Sequence, residues 1–308
     1  MHNDTVRSER GSDKLMTQED CDNLTWQLFG EPALIETNVY IQKPGAYAMN
    51  SLDKTQSGPT LIGMIHLDSL PGSPGFTGDF QHILTHALAD ASTLVDAGFD
   101  SLMVENYNDV PFFSNRVPAV TVASMSRCIS AIRIAFPTTP IGVNVLRNDA
   151  LSALSIAQAC GAQYIRVNVL AGASVTDQGL IQSQAADLLR ARAAWQSKVR
   201  IFADVGVKHA APLGSSELAP VARDTAYRGL ADALIVSGLA TGSQTSKADL
   251  DTVKKAVPDR EIFVGSGVTL NNFDPDVADG FIIGTSIKTD GRVCSKKARQ
   301  IVVRRNHG

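Results

Sequence analysis

The chain has 308 residues, with 28 Lys and Arg against 31 Asp and Glu, a net charge of −3, 44% apolar and 19% charged residues. Such a balance excludes a general attraction for nucleic acid, and no apolar run approaches the roughly 18–20 residues that span a bilayer. The four cysteines, Cys21, Cys128, Cys160 and Cys294, are far apart and form no C-x-x-C pair, so reduced thiols in a cytoplasmic protein are expected, and no metal centre.

Residues 1–58 carry five Lys and Arg against nine Asp and Glu and show no sustained periodicity. They read as a polar, partly disordered extension, with one short helix near Leu24–Phe29. The opening "MHNDTVRSERGSDK" contains no apolar core of a secretory signal. From Pro59 onward short apolar runs recur: "TLIGMIHL" (60–67), "SLMVE" (101–105), "IGVNVL" (141–146), "YIRVNV" (164–169), "RIFAD" (200–204), "ALIVS" (233–237), "IFVG" (262–265) and "GFIIG" (280–284). Helical patterns separate most of them, as at residues 79–98, 149–161 and 183–195. Strands alternating with helices make βαβ units and a parallel sheet, and eight such strands are the count of a (β/α)₈ TIM barrel. A doubly wound open sheet fits less well, because no G-x-G-x-x-G follows the first strand. Between Gly267 and Gly280 the chain is short and holds a proline, so the seventh helix is one turn long or the barrel is incomplete there.

Side chains alternate in direction along a strand. If Val143 and Val145 face the helices, Asn144 faces the barrel axis. The same rule turns His66, Glu105, Arg166 with Asn168, Asp204 and Ser237 inward, and Ile65, Val104, Val167, Ala203 and Val236 outward. Burying one polar group without a partner costs a few kcal/mol, so six matched positions imply groups that bond each other or a ligand. Barrel active sites lie at the C-terminal ends of the strands. A polar pocket floored by Asn144, Arg166, Asn168 and Ser237, and rimmed by Arg147, Asn148 and Asp149, follows. A self-satisfied polar plug is the alternative.

The most reactive stretch is "FADVGVKHAAPLG" (202–214). Asp204 ends the strand, and Lys208 and His209 follow, a set suited to acid–base work or to gripping an anionic substrate. "VENYNDVPF" adds Glu105 and Asp109 as general acid, general base or holders of Mg²⁺ through substrate phosphates. His66 heads a Pro/Gly-rich loop that could act as a lid or be a rigid turn. His82 and His86 stand four residues apart on one helix, but with no third ligand in view they read as incidental. After the seventh strand, Gly265, Ser266 and Gly267 let backbone N–H groups approach an anion. After the eighth, Gly284, Thr285 and Ser286 do the same, and these are the loops where barrels place a phosphate. Lys288 adds a cation there or is simply solvated. From Lys288 to the end, seven Lys and Arg face one Asp, which reads as a solvated terminal helix or a basic patch for an anionic surface.

Eight stretches in order over residues 60–291 resemble the BtpA/SgcQ family: "IGMIHLDSLPGSP", "VENYNDVPF", "GVNVLRNDA", "YIRVNVLAGASVTDQGLI", "FADVGVKHAAPL", "DALIVSGLATG", "VGSGVTLNN" and "GFIIGTSIKTDG". The resemblance implies a phosphate-binding TIM barrel with no assigned reaction. Photosynthetic members are associated with photosystem I biogenesis as extrinsic membrane proteins, and others are described as nucleosidases or sugar-metabolism enzymes. The expected organisation is an extension (1–58), a barrel domain (59–291) and a basic tail (292–308) that replaces the family's usual ending. The expected function is an enzyme acting on a phosphorylated nucleoside or sugar derivative. The alternative is a non-catalytic factor in peripheral contact with a membrane; a homo-oligomer is left open.

Overall fold

The computed structural model describes residues 58–206, 210–214, 216–237 and 245–307. The chain divides into two units, residues 1–47 and 48–308, and every described residue belongs to the second. The extension read at residues 1–58 therefore lies, all but its last residue, outside the described residues.

Eight strands form a closed, all-parallel barrel: β1 (Thr60–His66), β2 (Ser101–Glu105), β3 (Ile141–Asn144), β4 (Tyr164–Val167), β5 (Arg200–Val205), β6 (Ala233–Val236), β7 (Glu261–Val264) and β8 (Gly280–Ile283). Each strand pairs with the next, and β8 returns to β1 with Thr60 opposite Gly280 and Gly63 opposite Ile283. The helices outside are α1 (Phe80–Ala97), α2 (Ala119–Ala135), α3 (Ala150–Cys160), α4 (Ala185–Ala194), α5 (Leu218–Arg223), α6 (Lys247–Ala256) and α7 (Ser295–His307). Sequence signals set their ends. Asp79 caps α1 by accepting from His82 N at 3.1 Å, and Gly98 ends it with φ +95°, a conformation glycine adopts at no steric cost.

The expected two-residue alternation holds around the barrel. Outward side chains such as Ile65, Val104, Val143, Val167, Ala203 and Val236 join one continuous core with the helices. Inward side chains form a second, enclosed cluster: Ile62, Met64, Met103, Tyr164, Phe202, Ala233, Ile235, Phe263 and Ile282. Its aromatic residues are large for the space and need a glycine opposite. A Cβ on Gly142 would stand 2.1 Å from the Tyr164 ring. The Tyr164 hydroxyl is engaged at the barrel floor, donating to Leu102 O at 3.1 Å and lying 2.8 Å from Ser101 Oγ.

Three features depart from the sequence reading. Among the described residues no helix lies between β7 and β8, yet the sheet closes, so the short link does not leave the barrel open. The basic segment 292–308 is not a solvated tail over its described length. Ala298, Ile301, Val302 and Arg305 recur at helical spacing and are buried, and α7 packs on α1 as the helix that closes the barrel wall. Arg305 anchors it through an ion pair to Asp100 at 2.6 Å, and Asp100 also accepts from Leu61 N. Third, loops at the mouth build their own sheet. A hairpin of Ala173–Thr176 and Gly179–Gln182 follows β4 and pairs antiparallel with Ala210–Pro212 after β5.

Candidate functional site

The inward rule places His66, Glu105, Asn144, Arg166 and Asp204 on the top layer of the barrel, at the C-terminal ends of five strands, with Asn168 and Ser237 just beyond. The structure joins them in two clusters. Arg166 holds Asp204 through two parallel bonds, Nε to Oδ2 at 3.0 Å and Nη2 to Oδ1 at 2.8 Å. Asn168 Nδ2 donates to Oδ2 at 2.7 Å and Ser237 Oγ to Oδ1 at 3.4 Å. Both oxygens of this carboxylate are engaged by four donors, two of them from a guanidinium. In this arrangement Asp204, read from the sequence as an acid–base residue, fixes the Arg166 guanidinium in the pocket floor.

The second cluster is built differently. Asn144 Nδ2 donates to Glu105 Oε1 at 2.5 Å, and His66 Nε2 stands 3.6 Å from Oε2. The His66 ring stacks on Tyr107, with centroids 4.1 Å apart. Burial, helped by the positive charges of Lys288 and Arg166, pushes the His66 pKa down to about 3. The imidazole is neutral near pH 7, so its contact with Glu105 is not an ion pair. Burial pushes Glu105 upward, against the pull of Arg166 and the Asn144 bond. The carboxyl is thus held toward its protonated form, able to donate a proton, beside a neutral imidazole that offers a hydrogen bond rather than a charge.

A third group lies beyond β7, β8 and β4. Ser266 Oγ, Ser286 Oγ, Lys288 Nζ and Asn168 Oδ1 are buried atoms without a hydrogen-bond partner. The sequence left Lys288 between cation and solvated residue; it is buried, and burial draws its pKa down to about 8. A Cβ on Gly265 would meet Ile235 at 2.2 Å and Ser237 Oγ at 2.6 Å, so glycine there lets the chain pass close over the pocket. Gly267 takes a left-handed φ of +73°. Gly284 packs against Met64 and His66, and Thr285 begins a single 3₁₀ turn and is exposed.

Other expected site residues have structural work. Asp149 caps α3, accepting from Ser152 N and Oγ and from Val117 N. Asn148 bridges to Val169 by accepting from its N at 2.8 Å and donating to its O at 3.1 Å. Both are buried with their side chains engaged in these bonds, a structural use beside the rim role read from the sequence; Arg147 beside them is half-buried, its backbone N–H bonded to Phe113 O. Asp109 ties two loops together, accepting from Leu70 N at 2.7 Å and from Asn106 Nδ2. With Asn108 donating to Leu67 O, this fastens the loop after His66 at its near end, which favours the rigid-turn alternative there. Lys208 and His209 lie outside the described residues.

Away from the mouth, a groove of about 1170 Å³ runs beside α7 and the loop after β7, lined by Leu270, Asn271, Lys296, Arg299, Val303 and Arg304. It gathers no carboxylate or imidazole pair comparable with Glu105 and His66.

The sequence model of the BtpA family matches residues 57–307, a span that includes α7. Among curated relatives, an uncharacterized protein of Thermococcus kodakarensis is 48% identical over 79% of this chain and 93% of its own length. The photosystem I biogenesis protein BtpA of Synechocystis is 41% identical over 80% of this chain and 86% of its own. The sgc region protein SgcQ of Escherichia coli is 32% identical over 75% and 87%. Of solved structures, KGPDC from Streptococcus mutans superposes with a TM-score of 0.50 at 16% identity, covering 81% of this chain and 98% of that one, a likeness of fold alone. The barrel, its ring of polar strand ends and a match over nearly all the described residues place this chain in the BtpA family.

Proposed function

We propose that this protein is an enzyme acting on a phosphorylated small molecule, a nucleoside or sugar derivative, bound in the mouth of the barrel. The observation that carries the reading is the set of buried, partnerless polar atoms past β7 and β8: two hydroxyls and one amine. Buried polar groups without a partner cost a few kcal/mol each, and an anionic ligand at these two loops would offer them acceptors. Lys288, Ser266 and Ser286 hold the phosphate together with backbone N–H groups of Gly267, Gly284 and Thr285, whereas the Gly265 N–H is spent on Val236 O at 2.9 Å. Arg166, fixed by Asp204, and Asn168, whose Oδ1 is free to accept, orient the hydroxyl-bearing part. Glu105, held toward its protonated form by burial, gives a proton to the departing or rearranging oxygen, and the neutral His66 imidazole beside it orients the substrate by hydrogen bonding.

The test is thermal unfolding of the full chain with inorganic phosphate, sugar phosphates, nucleotides and unphosphorylated nucleosides. A ligand at 100 times its Kd stabilises by about 2.7 kcal/mol, or roughly 5–10 °C for a domain of this size. The reading expects a shift from one phosphorylated class that disappears in Lys288→Met. No shift from any phosphorylated compound in folded protein would overturn it.

A second reading has its own support. The exposed side of α7 carries Lys296, Lys297, Arg299 and Arg304, and a 41% identical relative is named for photosystem I biogenesis. Among the described residues no helix is long and apolar enough to cross a membrane, so a role of that kind would act at an anionic surface. Sedimentation with anionic against neutral vesicles tests it: salt-sensitive binding to anionic vesicles alone is expected, and no binding refutes it.

A further inference from the structure

The helix pair His82 and His86 lacks a third ligand in the sequence, but the fold supplies one. The loop after β1 brings Asp68 to α1, where Asp68 Oδ2 lies 2.7 Å from His86 Nδ1. The rings of His82 and His86, four residues apart on one helix face, stand 3.8 Å apart between centroids. One ligand atom from each of the three residues falls within 4.8 Å of the others. Asp68 and His86 are half-buried and His82 is exposed, so an ion could enter from solvent and keep water in its remaining positions. The neighbouring charges are Arg292, 3.8 Å from Asp68, and Asp90. Arg292 is engaged chiefly by Asp90 at 3.1 Å and by His86 O, and the charge of Lys288 acts on both Asp90 and Asp68, so Asp68 keeps its closest contact with His86.

We propose that Asp68, His82 and His86 form a binding site for a divalent transition-metal ion of the zinc type, outside the barrel mouth. Two imidazoles and one carboxylate suit Zn²⁺, Co²⁺ or Ni²⁺, whereas Mg²⁺ and Ca²⁺ prefer all-oxygen sets. Binding replaces the Asp68–His86 hydrogen bond and joins the loop after β1 to the first turns of α1. Since His66 ends β1 two residues before Asp68, the ion would pin the chain that carries this mouth residue.

The full chain, stripped with EDTA, is titrated with Co²⁺ while its visible absorption is followed, and with Zn²⁺ and Mg²⁺ by calorimetry. One equivalent of Co²⁺ and of Zn²⁺ is expected to bind, with no saturable binding of Mg²⁺. His82→Ala removes an exposed side chain and should weaken binding at least about tenfold, as should Asp68→Asn. His307→Ala, an exposed histidine on α7, should leave it unchanged. Circular dichroism verifies that each variant is folded. Absence of saturable Co²⁺ and Zn²⁺ binding, or binding undiminished in His82→Ala, would overturn the assignment.

Discussion

The two sides of the barrel mouth are finished differently. On the side of β2 to β6 the polar residues bond mainly to one another, Asn168 Oδ1 apart: Asn144 donates to Glu105, and Arg166, Asn168 and Ser237 converge on Asp204. On the side of β7 and β8, Ser266, Ser286 and Lys288 have buried polar atoms without a hydrogen-bond partner, although Asp90 and Glu105 lie close enough to Lys288 to attract its charge. The first side is preorganised by these bonds. The second keeps buried donors without acceptors, and on the proposed reading this difference separates residues that hold the pocket's shape from residues that recognise an anion.

The comparison can be broken by substitutions of opposite sign. The largest effect is expected for Asp204→Ala, which leaves the Arg166 guanidinium buried and uncompensated. Urea unfolding should show a loss of about 3–5 kcal/mol. On the other side, Lys288→Met removes a buried amine that lacks a partner. It should leave stability unchanged or raise it by up to about 2 kcal/mol, while abolishing stabilisation by phosphorylated ligands. A large loss in Lys288→Met would mean that the amine is already compensated in the free protein.

Acid pH sharpens the contrast further. The folded His66 titrates at about 3 against an unfolded value of 6.5, so between these values the unfolded chain binds more protons. Stability from this residue is therefore complete above pH 6.5 and falls as pH drops toward 3, by at most about 1.4 kcal/mol per pH unit. Denaturation between pH 4 and 7 should be flatter in His66→Asn than in the parent by that slope. The smallest effect is expected at Glu105→Gln. Burial favours the protonated carboxyl, which the amide imitates while still accepting from Asn144, so stability near pH 7 should change by less than about 1 kcal/mol. Turnover of the substrate class found by thermal shift should nonetheless fall by about 10²–10⁴-fold.

The period of two was enough to find the ring of His66, Glu105, Asn144, Arg166 and Asp204, because a strand has only two faces and the apolar face is conspicuous. What it could not give was the direction of each bond. Asp204 looked like a base because Lys208 and His209 follow it in sequence, whereas its partners come from β4, 38 residues earlier for Arg166. Asn148 and Asp149 looked like a polar rim, but an Asp immediately before an apolar helical run is also a cap signal, and that is the work it does. The hairpin after β4 was legible in "ASVTDQGLIQ", two β-prone runs around Asp177 and Gln178, with Gly179 at φ +92°. The closing helix α7 was legible too, in the spacing of Ala298, Ile301, Val302 and Arg305, but its charge drew attention from its apolar stripe. The meeting of Asp68 with His86 joins a loop to a helix, and no local pattern announces it.

The pairing of β8 with β1 bears on how the molecule is made. The first strand, "TLIGMIH", can complete its ladder only after residues 280–283 have been synthesised. At about 5–20 residues per second, that interval lasts roughly 10–45 s on the ribosome. Throughout it, one apolar strand edge stands open to other nascent chains, so the yield of this protein in a cell should depend on how well that edge is shielded during translation.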